Sequence, residues 1–262
     1  MNILLIMKLK VELDKGDVFV RCFQHMKTFT ESINITFNYD HMYVQCMDTS
    51  MILIMELKIP ALWFDAYKVD QPITIGLMTS LWSKVLSIRA DTQTIYLNTE
   101  DCEDHLSVLF KGEQSKSSFD KSFEVPLVSI DRGLLNISEM EFSAEFSLPS
   151  TTFGSMVNQL KQFGDNLFIE CTEEHIQLIA DSQEFGKMKT HIPIEELEEY
   201  AIDEGQIVTS SFGLRMLHNI CLYQKIAKNI NIGLTANYPM KIEYNIEDNA
   251  ELVFYIAPRI ED

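Results

Sequence analysis

The sequence predicts an α+β fold in which one unit, strand–helix–strands–helix–strands, occurs twice. Three observations carry the prediction. Windows 18–30, 72–90, 149–163 and 210–230 contain none of the chain's 39 Asp and Glu residues and read as amphipathic helices. Between them, strand-like segments alternate polar and apolar positions. Finally, matching segments recur at a spacing of about 135 residues.

Taken in order, residues 8–14 (KLKVELD) alternate strictly, as a strand with one buried face does. In the first window Phe19, Phe23 and Met26 recur at i, i+4, i+7, while Arg21, Gln24, His25 and Thr28 take the other face. Residues 32–40 are rich in β-formers. Met78, Leu81, Trp82 and Val85 make the second helical stripe, and the strand 93–98 follows. After a joining segment at 125–141 (VPLVSIDRGLLNISEME), residues 141–148 begin the second copy. Ser150 and Thr151 supply a capping signal for a third helix with the stripe Phe153, Met156, Val157, Leu160. Residues 166–172 form a strand, Leu214, Leu217 and Cys221 mark the fourth helix, and 240–256 form two strands around a turn at 247–250.

The repeat is read from HMKTF (25–29) against QLKQF (159–163) and DHMYVQCMDTS (40–50) against EHIQLIADS (174–182). Lys27 precedes His41 by 14 residues, as Lys161 precedes His175. TIYL near Ile95 is answered by NINI near Ile230. The expected organisation is an N-terminal domain over 1–124, with 1–6 as an added extension, a connecting loop over 125–141, and a C-terminal domain over 142–262.

Net charge is −18, yet the four windows carry +8 and the rest −26. Such segregation builds one surface for a polyanion and another that repels it. Arg21 and Lys27 stand about 120° apart on a helix of 3.6 residues per turn. That suits loose contact with a phosphate backbone better than base readout, which needs clustered donors. Five cysteines, odd in number and without a CxxC, predict buried free thiols in a reducing compartment rather than disulfides or a zinc site. No apolar run approaches the roughly 18 residues of a membrane span. The apolar start MNILLIM is too short for a signal peptide. HExxH, GxSxG, Walker A and GxGxxG patterns are absent, so no cofactor, metal or catalytic residue is expected. Asp48-Thr49-Ser50 and Asp181-Ser182 occupy matching places, as in a two-lobed aspartic protease. The glycine that lets two such loops share a proton is replaced by Ser50 and Gln183, which favours ordinary strand turns.

Several motifs together resemble the proliferating cell nuclear antigen family of DNA sliding clamps. These are YIAPRIED (255–262) after YPMKIEY (238–244), VQCMDTS (44–50), FDAY (64–67), IGLMTSLWSKVL (75–86) and Phe163-Gly164-Asp165. The similarity runs from about Met7 to Asp262 and would make the chain a divergent member, cellular or viral. It implies two clamp domains with inner helices against outer antiparallel sheets, three chains closing head to tail into a ring, and duplex DNA encircled without sequence preference. By the match Arg21, Lys27, Lys84 and Arg215 take basic channel positions, and Arg89, Lys161, Lys225 and Lys228 complete the DNA-facing set. Ser155 and Asn158 stand where the family often has arginines, and Leu222 where it usually has lysine. Met47, Leu135, Ile137, Pro239, Tyr255, Ala257 and Pro258 would form a pocket for the PIP-box of partners. Phe123, in a strand near 116–124, and Phe185 and Met188, in one near 183–191, would make the subunit joints.

The implied function is a processivity factor, not an enzyme. It would be loaded by an ATP-driven clamp loader and would recruit DNA polymerase, flap endonuclease and DNA ligase, in the nucleus or at a cytoplasmic viral replication site. Alternatives are a non-ring or heterotrimeric clamp-like processivity or checkpoint factor and, less favoured, the protease-like enzyme.

Overall fold

A computed structural model describes residues 7–99, 104–112, 119–131, 133–138 and 140–259; the expected extension at 1–6, and Cys102, lie outside the described residues. Two compact units emerge. The first takes in Met1–Thr49, Met55–Leu135 and Ile246–Leu252, the second Ser50–Ile54, Asn136–Asn245 and Val253–Asp262.

The first half of the chain runs β1 (Met7–Val11), α1 (Leu13–Gln24), β2 (Ser32–Phe37), β3 (His41–Met47), β4 (Leu53–Pro60), β5 (Ala66–Val69), β6 (Ile73–Met78), α2 (Thr79–Leu86), β7 (Gln93–Asn98), β8 (His105–Gly112) and β9 (Lys121–Pro126). Its strands neighbour one another in the orders β5-β1-β7-β8-β9 and β6-β2-β3-β4. The second half runs β10 (Ala144–Pro149), α3 (Ser150–Leu160), β11 (Asn166–Cys171), β12 (His175–Ser182), β13 (Gly186–Pro193), β14 (Glu199–Ile202), β15 (Val208–Gly213), α4 (Leu214–Cys221), β16 (Asn229–Leu234), β17 (Met240–Ile246) and β18 (Ala250–Ile256). Here the orders are β14-β10-β16-β17-β18 and β15-β11-β12-β13. Adding nine to each strand number of the first half gives the second, so the repeat in the sequence is a repeat of topology.

Alternation explains the strands: β1 buries Met7, Leu9 and Val11 and turns Lys8 and Lys10 outward. In the first unit α1 packs on α2 and seals an aromatic core. Phe19 and Phe23 lie 5.1 Å apart, and Phe23 meets Trp82 edge-on at 5.7 Å. In the second unit α3 packs on α4 over Phe153, Val157, Leu160 and Leu217. Below them Tyr244, wholly buried, donates its hydroxyl to the carbonyl of Ile220 at 3.2 Å. Burying each such aromatic is worth about 2–3 kcal/mol. The β17–β18 turn places Asp248 and Asn249 at φ 58° and 59°, a left-handed conformation that Asp and Asn tolerate.

Three expectations need correction. First, α1 begins at Leu13, so it includes Asp14 and Asp17 and is not acid-free. Acids near a helix N-terminus complement its dipole, which is why the acid-free stretch covers only the later turns. Second, the windows at 72–90 and 210–230 are part strand: β6 and β15 occupy their starts, and α4 stops at Cys221 before Lys225 and Lys228. Short apolar runs do not distinguish strand from helix by periodicity. Third, Ser150 does not cap α3. Pro149 is the N-cap, and the Ser150 hydroxyl is buried without a hydrogen-bond partner among the described residues.

Candidate functional site

Helix dipoles account for much of the cation placement. Arg21 and Lys84 sit in the last turns of α1 and α2, and Lys161 is the C-cap of α3, where unsatisfied carbonyls favour positive charge. Arg215 lies in the first turn of α4, where the dipole gives it no help. Lys27, Lys84, Lys161, Arg215, Lys225 and Lys228 are exposed and Arg21 is half-buried. None of these seven is in an ion pair among the described residues. Elsewhere cations find acids: Lys15 reaches Asp248 at 2.7 Å and Lys187 reaches Asp181 at 3.0 Å.

Two imidazoles register the field of these cations. His25 titrates below its ordinary value because it is partly buried and because Lys27 and Arg21 stand near. His218 on α4 is lowered by burial and then by Lys161 from the end of α3. In each unit an imidazole thus stands near these cations, and a polyanion would relieve the repulsion between imidazolium and cation.

Arg89 does not belong with them. Its side chain is 2% exposed and pairs with Asp17 of α1 at 2.5 Å. It also donates to the carbonyl of Gln93 at 2.8 Å. The guanidinium lies so close over Gly16 that a Cβ there would stand 2.1 Å from it. The expected DNA-facing role of Arg89 is therefore overturned: a guanidinium satisfied by fixed acceptors has nothing left to offer phosphate.

The connecting segment is tied to the first unit strand by strand. Val128 donates to the carbonyl of Gly76 on β6 at 2.9 Å, and Asn34 on β2 donates to the carbonyl of Ile130 at 3.3 Å. Gln45 on β3 holds Leu135 from both sides, accepting from its N–H at 2.7 Å and donating to its carbonyl at 2.9 Å. Leu135 is left 41% exposed, and Met47 is half-buried at the end of β3.

In the second unit an apolar groove of about 510 Å³ brings together three of the expected pocket residues, Ile137, Pro239 and Tyr255. Ile54, Met140, Phe142 and Tyr238, which sequence reading omits, line it as well. An exposed tyrosine beside a proline in a turn, as at Tyr238-Pro239, is a signal that could have found one of them. Ala257 and Pro258 follow β18, pinned by the bonds from Ala257 N–H to Ile52 at 2.8 Å and from Arg259 N–H to Ser211 at 2.7 Å.

Phe123 lies on β9 and Met188 on β13, each the last strand of its row, where one side of the backbone is unpaired among the described residues. Phe123 packs against Phe110 as a tilted ring pair with centroids 5.5 Å apart; Phe185, in the turn before β13, is 61% exposed. Residues 116–118 of the expected joint lie outside the described residues. Asp181 is exposed and paired with Lys187, unlike a carboxylate that shares a proton in a protease dyad. Among the described residues, no helix is long and apolar enough to cross a membrane.

Comparison with known proteins agrees with this architecture. The family model for the N-terminal domain of proliferating cell nuclear antigen matches residues 8–133, and that for its C-terminal domain matches residues 136–259. The chain is 26% identical over 259 residues to the proliferating cell nuclear antigen of Saccharomyces cerevisiae, with 97% of this chain and 99% of that protein covered.

Proposed function

The chain belongs to the proliferating cell nuclear antigen family, the DNA sliding clamps, and from that membership we propose that it acts as a homotrimeric ring that tethers DNA polymerase to duplex DNA. The observation that carries the reading is the set of seven cations, along and just after the four helices of an acidic chain, that make no ion pair among the described residues. Weak attraction to phosphate is what sliding needs. Enclosure supplies retention, and low affinity leaves translocation free.

In this reading Arg21, Lys27, Lys84, Lys161, Arg215, Lys225 and Lys228 face the DNA. The edge strands β9 and β13 pair between chains with Phe123, Phe185 and Met188 at the joint, an interface of two unlike patches that closes a ring. Residues 125–141 form the loop between domains 1–124 and 142–262. The groove at Ile137, Pro239 and Tyr255, with Met47, Leu135, Ala257 and Pro258, takes the PIP-box of polymerase, clamp loader, flap endonuclease and ligase in the nucleus. Tethering several partners to one ring raises their local concentration at the primer end.

Sedimentation equilibrium tests the assembly. A particle of about 90 kDa, three times the 30.2 kDa chain, is expected, and a 30 kDa species at micromolar concentration would refute the ring. For the DNA-facing assignment, the triple variant Lys27→Glu, Lys84→Glu, Lys161→Glu should keep that mass and lose clamp-dependent synthesis. Unchanged processivity would remove those lysines from the channel.

A further inference from the structure

The second copy of the repeat holds a pair of imidazoles that the first copy lacks. His175 opens β12, and His191 lies two residues before the end of β13. Gln177 stands opposite His191 and Pro193 opposite His175, so the two histidines are diagonal neighbours on one face of the sheet. That face is turned away from the buried Ile176, Leu178 and Ile192. The ring centres are 4.4 Å apart, with His191 exposed and His175 half-buried.

The matching histidine of the first copy is fully used. His41 opens β3, with Nδ1 2.7 Å from Asp40 Oδ1 and Nε2 3.0 Å from the side-chain amide of Asn38. Lys58, two residues before the end of β4, takes the place that His191 has on β13. In the second copy Thr172 and Glu174 stand where Asn38 and Asp40 do. Of these, Thr172 reaches the ring, with Oγ1 3.3 Å from His175 Nδ1.

That contact selects the tautomer. The single hydroxyl hydrogen of Thr172 donates to the His175 carbonyl at 3.1 Å. The ring contact is therefore made by Nδ1–H as donor, which leaves the lone pair on Nε2. His191 makes no hydrogen bond among the described residues. Each ring thus keeps a nitrogen lone pair that no described residue uses.

We propose that His175 and His191 together bind one late first-row divalent cation, Zn²⁺, Ni²⁺ or Cu²⁺, and so clip the edge strand β13 to β12. Neutral imidazole suits such ions, whereas Mg²⁺ and Ca²⁺ require oxygen ligands. Two rings held about 2.0–2.1 Å from one ion, at an angle of about 90–110°, have centres about 4.5–5.2 Å apart. The observed 4.4 Å needs only a small turn of the exposed His191 ring. Thr172 supplies the outer hydrogen bond that a ligating histidine ordinarily makes through its second nitrogen. Among the described residues no third histidine, cysteine or carboxylate joins the pair, so water fills the remaining positions and the ion exchanges freely. A net charge of −18 raises the cation concentration at the surface. Because the pair lies on a sheet face, pairing of the free β13 edge with another backbone would leave it accessible, and the site stands whether or not the ring forms.

Calorimetric titration of the full chain with ZnCl₂ and with NiCl₂, in a non-chelating buffer at pH 7.5, tests the site. Each ion should bind at about one per chain and be removed by EDTA, and MgCl₂ should not compete. His175→Gln and His191→Gln should each weaken Zn²⁺ binding more than about tenfold, while both keep the metal-free unfolding midpoint of the parent. His41→Gln, in the first copy, should leave the affinity as it was. A second measurement uses the parent chain alone. Zn²⁺ should protect His175 and His191 from diethylpyrocarbonate, read by peptide mass spectrometry, while His41 and His105 react as before. Absence of that protection, binding weaker than about 1 mM, or an affinity unchanged in both variants overturns the proposal. Equal loss in His41→Gln overturns it too, because the ion would then be held elsewhere.

Discussion

The side-chain amide of Gln45 grips the backbone of Leu135 like one rung of a β-ladder, with bonds of 2.7 and 2.9 Å, across 90 residues of sequence. A glutamine on β3 thereby sets the height at which the connecting segment leaves the first unit. With Gly76–Val128 and Asn34–Ile130 it makes three ties along one stretch of chain.

Replacing Gln45 with alanine should cost about 1 kcal/mol, because both bonds are solvent-accessible. It should also raise hydrogen exchange at the Leu135 amide more than tenfold. Unaltered exchange there would mean that other interactions hold the segment. Peptide affinity for the groove should fall only a few-fold.

Arg89→Met should lower stability by about 2–4 kcal/mol in denaturant unfolding, since Asp17 and the Gln93 carbonyl lose a buried charged partner. The slope of log affinity for duplex DNA against log salt should not change. In contrast, Lys27→Ala, Lys84→Ala or Lys225→Ala should leave stability within about 0.5 kcal/mol and lower that slope by about 0.9 for each phosphate no longer neutralised. An Arg89 variant that flattens the slope would return that residue to the DNA-facing set.

His25 and His218 both titrate below 6.5 in the folded chain. The unfolded chain therefore binds protons first as pH falls. Stability is fully retained above pH 6.5 and declines as pH drops through the lowered values. Bound phosphate acts the other way, favouring the imidazolium, so duplex binding should take up protons. The salt needed to release duplex should be higher at pH 6 than at pH 7.5, and the difference should vanish in the variant His25→Gln, His218→Gln. A difference that persists would assign the pH dependence to other groups.

Burial pushes the thiols of Cys22, Cys171 and Cys221 each up to about 12. At pH 8 they should resist iodoacetamide in the native protein and react only at the rate of unfolding. Rapid native labelling of any of the three, read by mass spectrometry, would contradict the packing of the helices over their sheets.

Local pattern and charge determined a great deal by themselves. The stripe of Phe19 and Phe23, the alternation of 8–11, the 14-residue offsets in the repeat and the terminal YIAPRIED are all short-range features. Helical and strand periodicities act within a few residues, so both copies of the domain, their order and the family were legible. The windows from which acids are excluded were legible for the same reason, since they are contiguous in the sequence. Tertiary structure alone decided what became of each cation. Arg89 and Lys84 stand five residues apart in one window, yet one is buried against Asp17 and the other is exposed. A side chain's partner comes from elsewhere in the chain: 72 residues away for Arg89 and 90 for Gln45. Periodicity records which face of an element is wet, whereas pairing and cavity shape depend on which elements the fold sets side by side.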